Sequence, residues 1–212
     1  MTDFFTADWH LFHPAIINFC KRPFKNEDAM RAALIRNCNE VVGPGDVVYH
    51  IGDFAMLRRD QISKIGPVLD KLNGTHILVL GNHDEGKPFT YERLGFLTVH
   101  TALIYNSDVI LRHDPAACVV QADKLWLVGH VHNLFKCVNA PIRCYNVGVD
   151  VNNFYPVTLE QIYNELKQGD EATHVADKVE LHEECRTCKV LIEGNDPRNC
   201  KIYSELGQCK FI

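Results

Sequence analysis

The strongest constraint on how this chain can fold is a set of five short polar clusters, each placed directly after an apolar run. They are Asp8-Trp9-His10, Gly52-Asp53, Gly81-Asn82-His83-Asp84, Arg112-His113 and Gly129-His130-Val131-His132. The runs before them, residues 4–7, 47–51, 77–80, 109–111 and 125–128, are short, bounded by turn residues and rich in β-branched or aromatic side chains, which is how buried strands read. The polar clusters therefore fall at strand ends, and in an open α/β sheet that edge is where ligands bind. In extended backbone, residues two apart project to one face, so Asp8 with His10, and His130 with His132, can each aim at a common point. Glycine precedes three of the clusters, where a chain leaving a strand must turn sharply or approach an ion closely. Carboxylate, imidazole and amide groups gathered in this way are the mixed ligands that a pair of adjacent metal ions needs.

Between the clusters the sequence alternates. Met30, Ala33, Leu34, Asn37 and Val41 recur at helical spacing across Glu27–Val41, with Asn26 as the cap and Gly43-Pro44-Gly45-Asp46 as the stop. A second helix is expected over residues 60–72, ended by Asn73-Gly74. From Gly95 the pattern changes to closely spaced strands at residues 96–98, 102–105, 109–111, 125–128 and 143–147, and helix returns over residues 159–167 with Thr158 as its cap. The expected fold is α/β, a two-sheet core flanked by helices.

A chain of 212 residues can build one well-buried domain with a modest appendage. Its net charge of -5 gives no global pull toward nucleic acid, although a local basic patch remains compatible with it. The first residues enter a strand without the basic segment, apolar stretch and cleavage site of a secretory signal, and no apolar run reaches the ~20 residues that span a bilayer. The expectation is a cytoplasmic protein without a membrane partner, whose nine cysteines are mostly reduced. Past residue 169 the composition becomes acidic and polar, which divides the chain into a core of residues 1–169 and a cysteine-containing extension of residues 170–212. Within it, Cys185, Cys188, Cys200 and Cys209, with His182 as a substitute, could hold a structural zinc. A second close cysteine pair is missing, so reduced cysteines in a tail that could engage a protein partner are the preferred reading.

In their order, the five clusters resemble the calcineurin-like metallophosphoesterase superfamily. Its pattern of Asp-x-His, Gly-Asp, Gly-Asn-His-Asp/Glu, a lone His and Gly-His-x-His is complete across residues 8–132. Cys20-Lys21-Arg22-Pro23-Phe24, Val42-Gly43-Pro44-Gly45-Asp46 and Asn146-Val147-Gly148-Val149-Asp150 resemble a small bacterial and phage-type branch of it. The resemblance implies a four-layer αββα sandwich, two mixed sheets flanked by helices, with metals at one rim. It implies that Asp8, His10, Asp53 and His132 hold one ion and that Asp53, Asn82, His113 and His130 hold the other. Two cations roughly 3.5 to 4 Å apart repel strongly unless a shared carboxylate and hydroxide lie between them, and Asp53 would be that carboxylate. His83, beside the ligand Asn82, would be the general acid that protonates the departing alkoxide. Asp84 would either orient the His83 ring or cap its loop.

Other residues carry open alternatives. His13 would contact substrate or a metal-bound water, or else serve only the start of a helix. Arg22 would meet a phosphate oxygen through its planar fork or lie solvated. Trp9 and Phe12 would stack a base or pack in the core, and His50, His76, His100, His174 and His182 read as structural or solvated.

The implied activity is a dinuclear metal-dependent phosphoesterase in which a bridging hydroxide attacks phosphorus in line, without a covalent phosphoenzyme. Nucleotide-type phosphodiesters are the preferred substrates. The alternatives are a phosphomonoesterase, or a metal-stabilised module that binds phosphate or nucleic acid without turnover, a role that would not need His83. Mixed nitrogen and oxygen ligands suit Mn, Fe, Ni or Zn better than Ca. Phe54-Ala55-Met56 is apolar where protein phosphatases of the superfamily carry further Asp and Arg, which disfavours phosphoproteins as substrates.

Overall fold

In the computed structural model, residues 1–119, 121, 124–139 and 142–169 are described. The extension of residues 170–212, with Cys185, Cys188, Cys200 and Cys209, lies outside the described residues.

Short apolar segments supply two mixed five-stranded sheets. In the first, β1 (Asp3–Thr6), β2 (Val47–Ile51), β3 (Thr75–Val79) and β4 (Thr98–His100) run parallel, and β10 (Val157–Thr158) lies antiparallel against β1. Parallel neighbours need crossovers. These are α1 (Ala15–Phe19) with α2 (Glu27–Val41), then α3 (Gly66–Leu69), then α4 (Pro88–Arg93). The second sheet has the order β5 (Leu103–Ile104), β6 (Val109–Leu111), β7 (Leu125–Val128), β9 (Cys144–Asn146) and β8 (Cys137–Val138), with β6, β7 and β9 parallel.

Alternation along the strands sorts the core into layers. Phe5, Ile51 and Val79 face Val109, Leu111, Leu127 and Tyr145 between the sheets, and Ile162 and Leu166 of α5 (Leu159–Gly169) join that cluster. Phe4, Val48 and Leu78 point the other way, onto Met30 and Leu34 of α2 and onto Ile65, Leu69 and Tyr91. A smaller cluster of Cys118, Trp126, Val128 and Cys144 covers the outer face of the second sheet.

Helix α2 forms where its periodicity requires. Met30, Ala33, Leu34 and Asn37 are buried as expected, and Cys38 with them, whereas Val41 at the helix end is 40% exposed; the Asn26 side chain accepts from Ala29 N at 2.9 Å. At α5, Thr158 N donates to Gln161 Oε1 at 2.8 Å and Gln161 N to Thr158 Oγ1 at 3.3 Å, a reciprocal cap. The helix expected over residues 60–72 is instead a 3-10 helix, Arg59–Ile65, followed by the single turn of α3. Pro67 is the reason: it has no N–H to continue an α-helix and is tolerated only in the first turn, where α3 begins. The strand expected at residues 96–98 forms later as β4, after Gly95 turns the chain at φ 123°.

At the ligand edge the two sheets are tied together. Ala7 N donates to Val147 O at 3.1 Å, and Val149 N donates to Ala7 O at 3.1 Å. Among the described residues, no helix is long and apolar enough to cross a membrane.

Candidate metal centre

All five clusters emerge from the C-terminal ends of β1, β2, β3, β6 and β7, so the strands deliver their polar side chains to one rim. Ligand atoms of Asp8, His10 and His132 lie within 4.8 Å of one another, and so do those of Asp53, His113 and His130. Asp53 joins the two groups, because its Oδ2 is 3.4 Å from His10 Nε2 and 3.3 Å from His113 Nε2. Asn82 enters the second group, with Oδ1 3.1 Å from His113 Nε2 and 2.9 Å from His130 Nδ1. The structure thus brings all seven expected ligand residues together.

The donor set fits metal ions. Both ring nitrogens of His10 are buried without a hydrogen-bond partner, although the ring is 1% exposed, and a lone pair left this way costs free energy unless something binds it. Burial pushes His10 down to about 4, so near neutrality the ring is a neutral imidazole with one bare nitrogen. Burial also raises Asp53, but contacts with His10 and His113 outweigh it and hold the carboxylate far below its usual range. For His113, burial is outweighed by the bond to Asp53 and its charge, which lift the ring to about 9. His113 Nδ1 lies 2.8 Å from Ile51 O; donation to that carbonyl leaves Nε2 facing the centre.

Close approach explains the glycines. A Cβ on Gly52, at φ 84°, would sit 2.2 Å from His113 Nδ1, and one on Gly81 would sit 2.2 Å from Asp53 Oδ1. Neither position has room for a side chain.

The remaining expected residues separate. The ring of His83 is half-buried and 5.3 Å from that of His10, while its backbone N donates to Asp53 Oδ1 at 2.9 Å. His13 lies 5.5 Å from His10, ring to ring, with Nδ1 buried and unbonded. Asp84 gives both oxygens to backbone, Oδ2 to Asp53 N at 2.8 Å and Gly81 N at 2.9 Å, and Oδ1 to Phe54 N at 3.2 Å. Of its two expected roles, the geometry is that of the cap.

Arg22 corrects the expectation of a phosphate contact or a solvated side chain. Its side chain is fully buried, with Nε and Nη2 bonded to Asp150 and Nη2 and Nη1 to the carbonyls of Asp8 and Trp9. Trp9 stacks on Phe54 and is 1% exposed, so of its two readings only core packing survives. Phe12 lies beneath the Arg31 guanidinium at 4.8 Å. Two residues near the centre were not singled out from the sequence. Asp150 stands in a motif quoted for its resemblance, with no role attached. Phe19, 73% exposed and edge-on to His13 at 6.2 Å, shows no signal beyond its place in α1.

The family model described as calcineurin-like phosphoesterase matches residues 4–184. The uncharacterized protein MJ1445 of Methanocaldococcus jannaschii is 32% identical over 172 residues, covering 77% of this chain and 90% of that protein. The crystal structure of AQ665, a protein of unknown function from Aquifex aeolicus, matches with a TM-score of 0.58 at 24% identity, over 77% of this chain and 98% of that one. At that identity the likeness is one of fold.

Proposed function

This chain belongs to the calcineurin-like phosphoesterase family, and on that footing we propose that it is a dinuclear metal-dependent phosphodiesterase acting on nucleotide-type substrates. The observation that carries the proposal is the meeting of the two ligand groups on one oxygen, Asp53 Oδ2, while Oδ1 holds the backbone of His83. In this reading Asp8, His10, Asp53 and His132 hold one ion and Asp53, Asn82, His113 and His130 the other. Bound there, two divalent ions supply positive charge against the phosphoryl oxygens and an activated nucleophile. The nitrogen and oxygen donors favour Mn, Fe, Ni or Zn.

The chain's own side chains do the rest. His83 presents its ring beside His10 and delivers a proton to the leaving oxygen. Asp84 holds the two loops that carry Asp53 and Asn82 in register. The charge of Arg22 is spent inside the protein and brings no free N–H for the second charge of a monoester, which supports a diester. Phe19 leaves most of its ring in solvent near His13, and a nucleobase can stack there.

The test is His83→Asn, assayed with Mn²⁺ on alkyl and nitrophenyl phosphodiesters, with metal content measured in the same samples. Metal uptake should stay unchanged while alkyl-ester hydrolysis slows by roughly 10² to 10⁴. Nitrophenyl esters should lose much less, because nitrophenolate departs without a proton. Equal loss on both esters would remove the general acid from the mechanism. Metal-loaded wild type that binds phosphate esters without turning over any of them would establish the binding module instead, and faster turnover of monoesters would overturn the diester preference.

A further inference from the structure

Behind His132 lies a buried ion pair, Asp150 with Arg22, neither of which is among the seven expected ligands. His132 Nδ1 is 2.9 Å from Asp150 Oδ2. A carboxylate only accepts, so a hydrogen sits on Nδ1, and Nε2 is the nitrogen left for a metal ion to take. Asp150, its side chain 2% exposed, is in turn gripped by the Arg22 fork, with Nε donating to Oδ1 at 2.7 Å and Nη2 to Oδ2 at 2.8 Å. The same guanidinium donates from Nη2 to Asp8 O at 2.7 Å and from Nη1 to Trp9 O at 3.0 Å. One buried cation therefore holds the backbone of the first ligand loop and the acid behind the last ligand.

We propose that Asp150, locked by Arg22, is a positioning residue that fixes the tautomer and direction of His132, so that Nε2 is presented to the ion held with Asp8 and His10. The inference rests on the dinuclear reading above. Two features make such a device necessary. His132 sits at φ 48°, in the left-handed region that its backbone does not favour, and its side chain is 23% exposed, against 2% for that of His10. Packing alone does not fix that ring. A carboxylate behind a ligand histidine raises its basicity and holds its plane, and loss of such support costs about 10- to 100-fold in metal affinity.

The same cluster has a second reading. Cys20, His132 and Asp150 also bring ligand atoms within 4.8 Å of one another. Both Asp150 oxygens are already bonded to Arg22, however, so a cation seated among these three would face a guanidinium across a shared carboxylate. Ligand support is the role that this charge arrangement allows.

The experiment is calorimetric titration of the full chain with Mn²⁺, repeated with Co²⁺ and read by its ligand-field absorption. His10→Ala and Asn82→Ala assign the two binding steps. Asp150→Asn keeps an acceptor of the same shape and should weaken the step sensitive to His10 by about 10-fold, whereas Asp150→Ala should weaken it by about 100-fold. The step sensitive to Asn82 should move by less than about twofold, and the Co²⁺ spectrum should change only for the first ion. A merely structural Asp150 would weaken both steps together, and that result, or two unchanged steps, overturns the proposal. If Asp150→Ala does not fold, Asp150→Asn decides by the same criterion. Wild type that takes up no ions would overturn the dinuclear reading itself, a different and distinguishable failure.

Discussion

Replacing Asp84 by alanine removes a single carboxylate that two loops share. Its Oδ2 accepts from Asp53 N and Gly81 N at 2.8 and 2.9 Å, and its Oδ1 from Phe54 N at 3.2 Å, in a position 6% exposed. Alanine leaves three buried N–H groups without an acceptor, and each such orphan costs about 1 to 3 kcal/mol. Water admitted to the vacated space recovers part of this, so a net loss of about 4 kcal/mol is expected. Asparagine offers one carbonyl oxygen. Placed where Oδ2 lies, it keeps the two shorter bonds and turns its NH₂ toward Phe54 N, so about 1 to 2 kcal/mol is lost.

The assay is urea unfolding of metal-stripped protein at about pH 7.5, with midpoints compared at constant slope. That pH lies above the Asp84 carboxyl, which burial and then the charge on Asp53 push up to about 6, so the ionised form faces the donors. A loss below about 1 kcal/mol for Asp84→Ala would refute the reasoning, because the loops would have found other acceptors. Unchanged stability in Asp84→Asn, with a loss confined to poor leaving groups, would return Asp84 to orienting the His83 ring.

Two further predictions follow from the same geometry. Asp53→Asn removes the oxygen on which both ligand groups meet, so both ions should weaken by on the order of 100-fold, about 2.8 kcal/mol each, in calorimetric titration; loss of one ion alone would remove the bridge. Burial pushes His76 down to about 4 from 6.5, so the fold refuses a proton that the unfolded chain accepts: stability present above pH 6.5 is lost as pH falls toward 4, by about 3 kcal/mol. His50, whose Nε2 lies 3.0 Å from His76 Nδ1, is lowered in the same direction. His76→Gln should flatten the fall of Tm between about pH 7 and pH 4.5, and an unaltered slope would rule His76 out as its source.

What the sequence disclosed and what it hid divide by range. Helix α2 was legible because its signals lie within one turn: Asn26 caps Ala29, and Met30, Leu34 and Cys38 repeat on one face. The gathering of the expected ligand residues at one rim was legible because strand ends are local events and the topology gathers the C-terminal ends of parallel strands on one side. The second helix differs from its apparent periodicity because Gly66-Pro67 starts a new turn within it. Arg22 failed for another reason. An arginine in a Lys-Arg-Pro segment reads as solvated, and its burial depends on Asp150, which only the crossing of the two sheets brings to it. Asp84 lay between these cases, its cap role local to Gly81 but completed by Asp53 and Phe54 across the rim.

Backbone conformation at the centre accounts for the density of these supports. Asp8, His10, Asp53, His130 and His132 all have positive φ, between 48° and 72°, where a side chain other than glycine costs about 1 to 2 kcal/mol. Glycine would relieve the strain but carries no ligand, so the chain places ligand-bearing residues there and sets glycine beside them, as Gly52 at φ 84° precedes Asp53. Conformations that the sequence does not prefer persist only when their surroundings over-determine them. Each strained ligand loop indeed meets a buried acceptor or donor from elsewhere in the chain. His130 N binds both oxygens of Asp8, Asp53 N binds Asp84, and Asp8 O and His132 are both reached through Arg22 and Asp150. Because these bonds are made within the protein, the fold itself sets the directions of these side chains, and under the proposed dinuclear reading an ion need not order them.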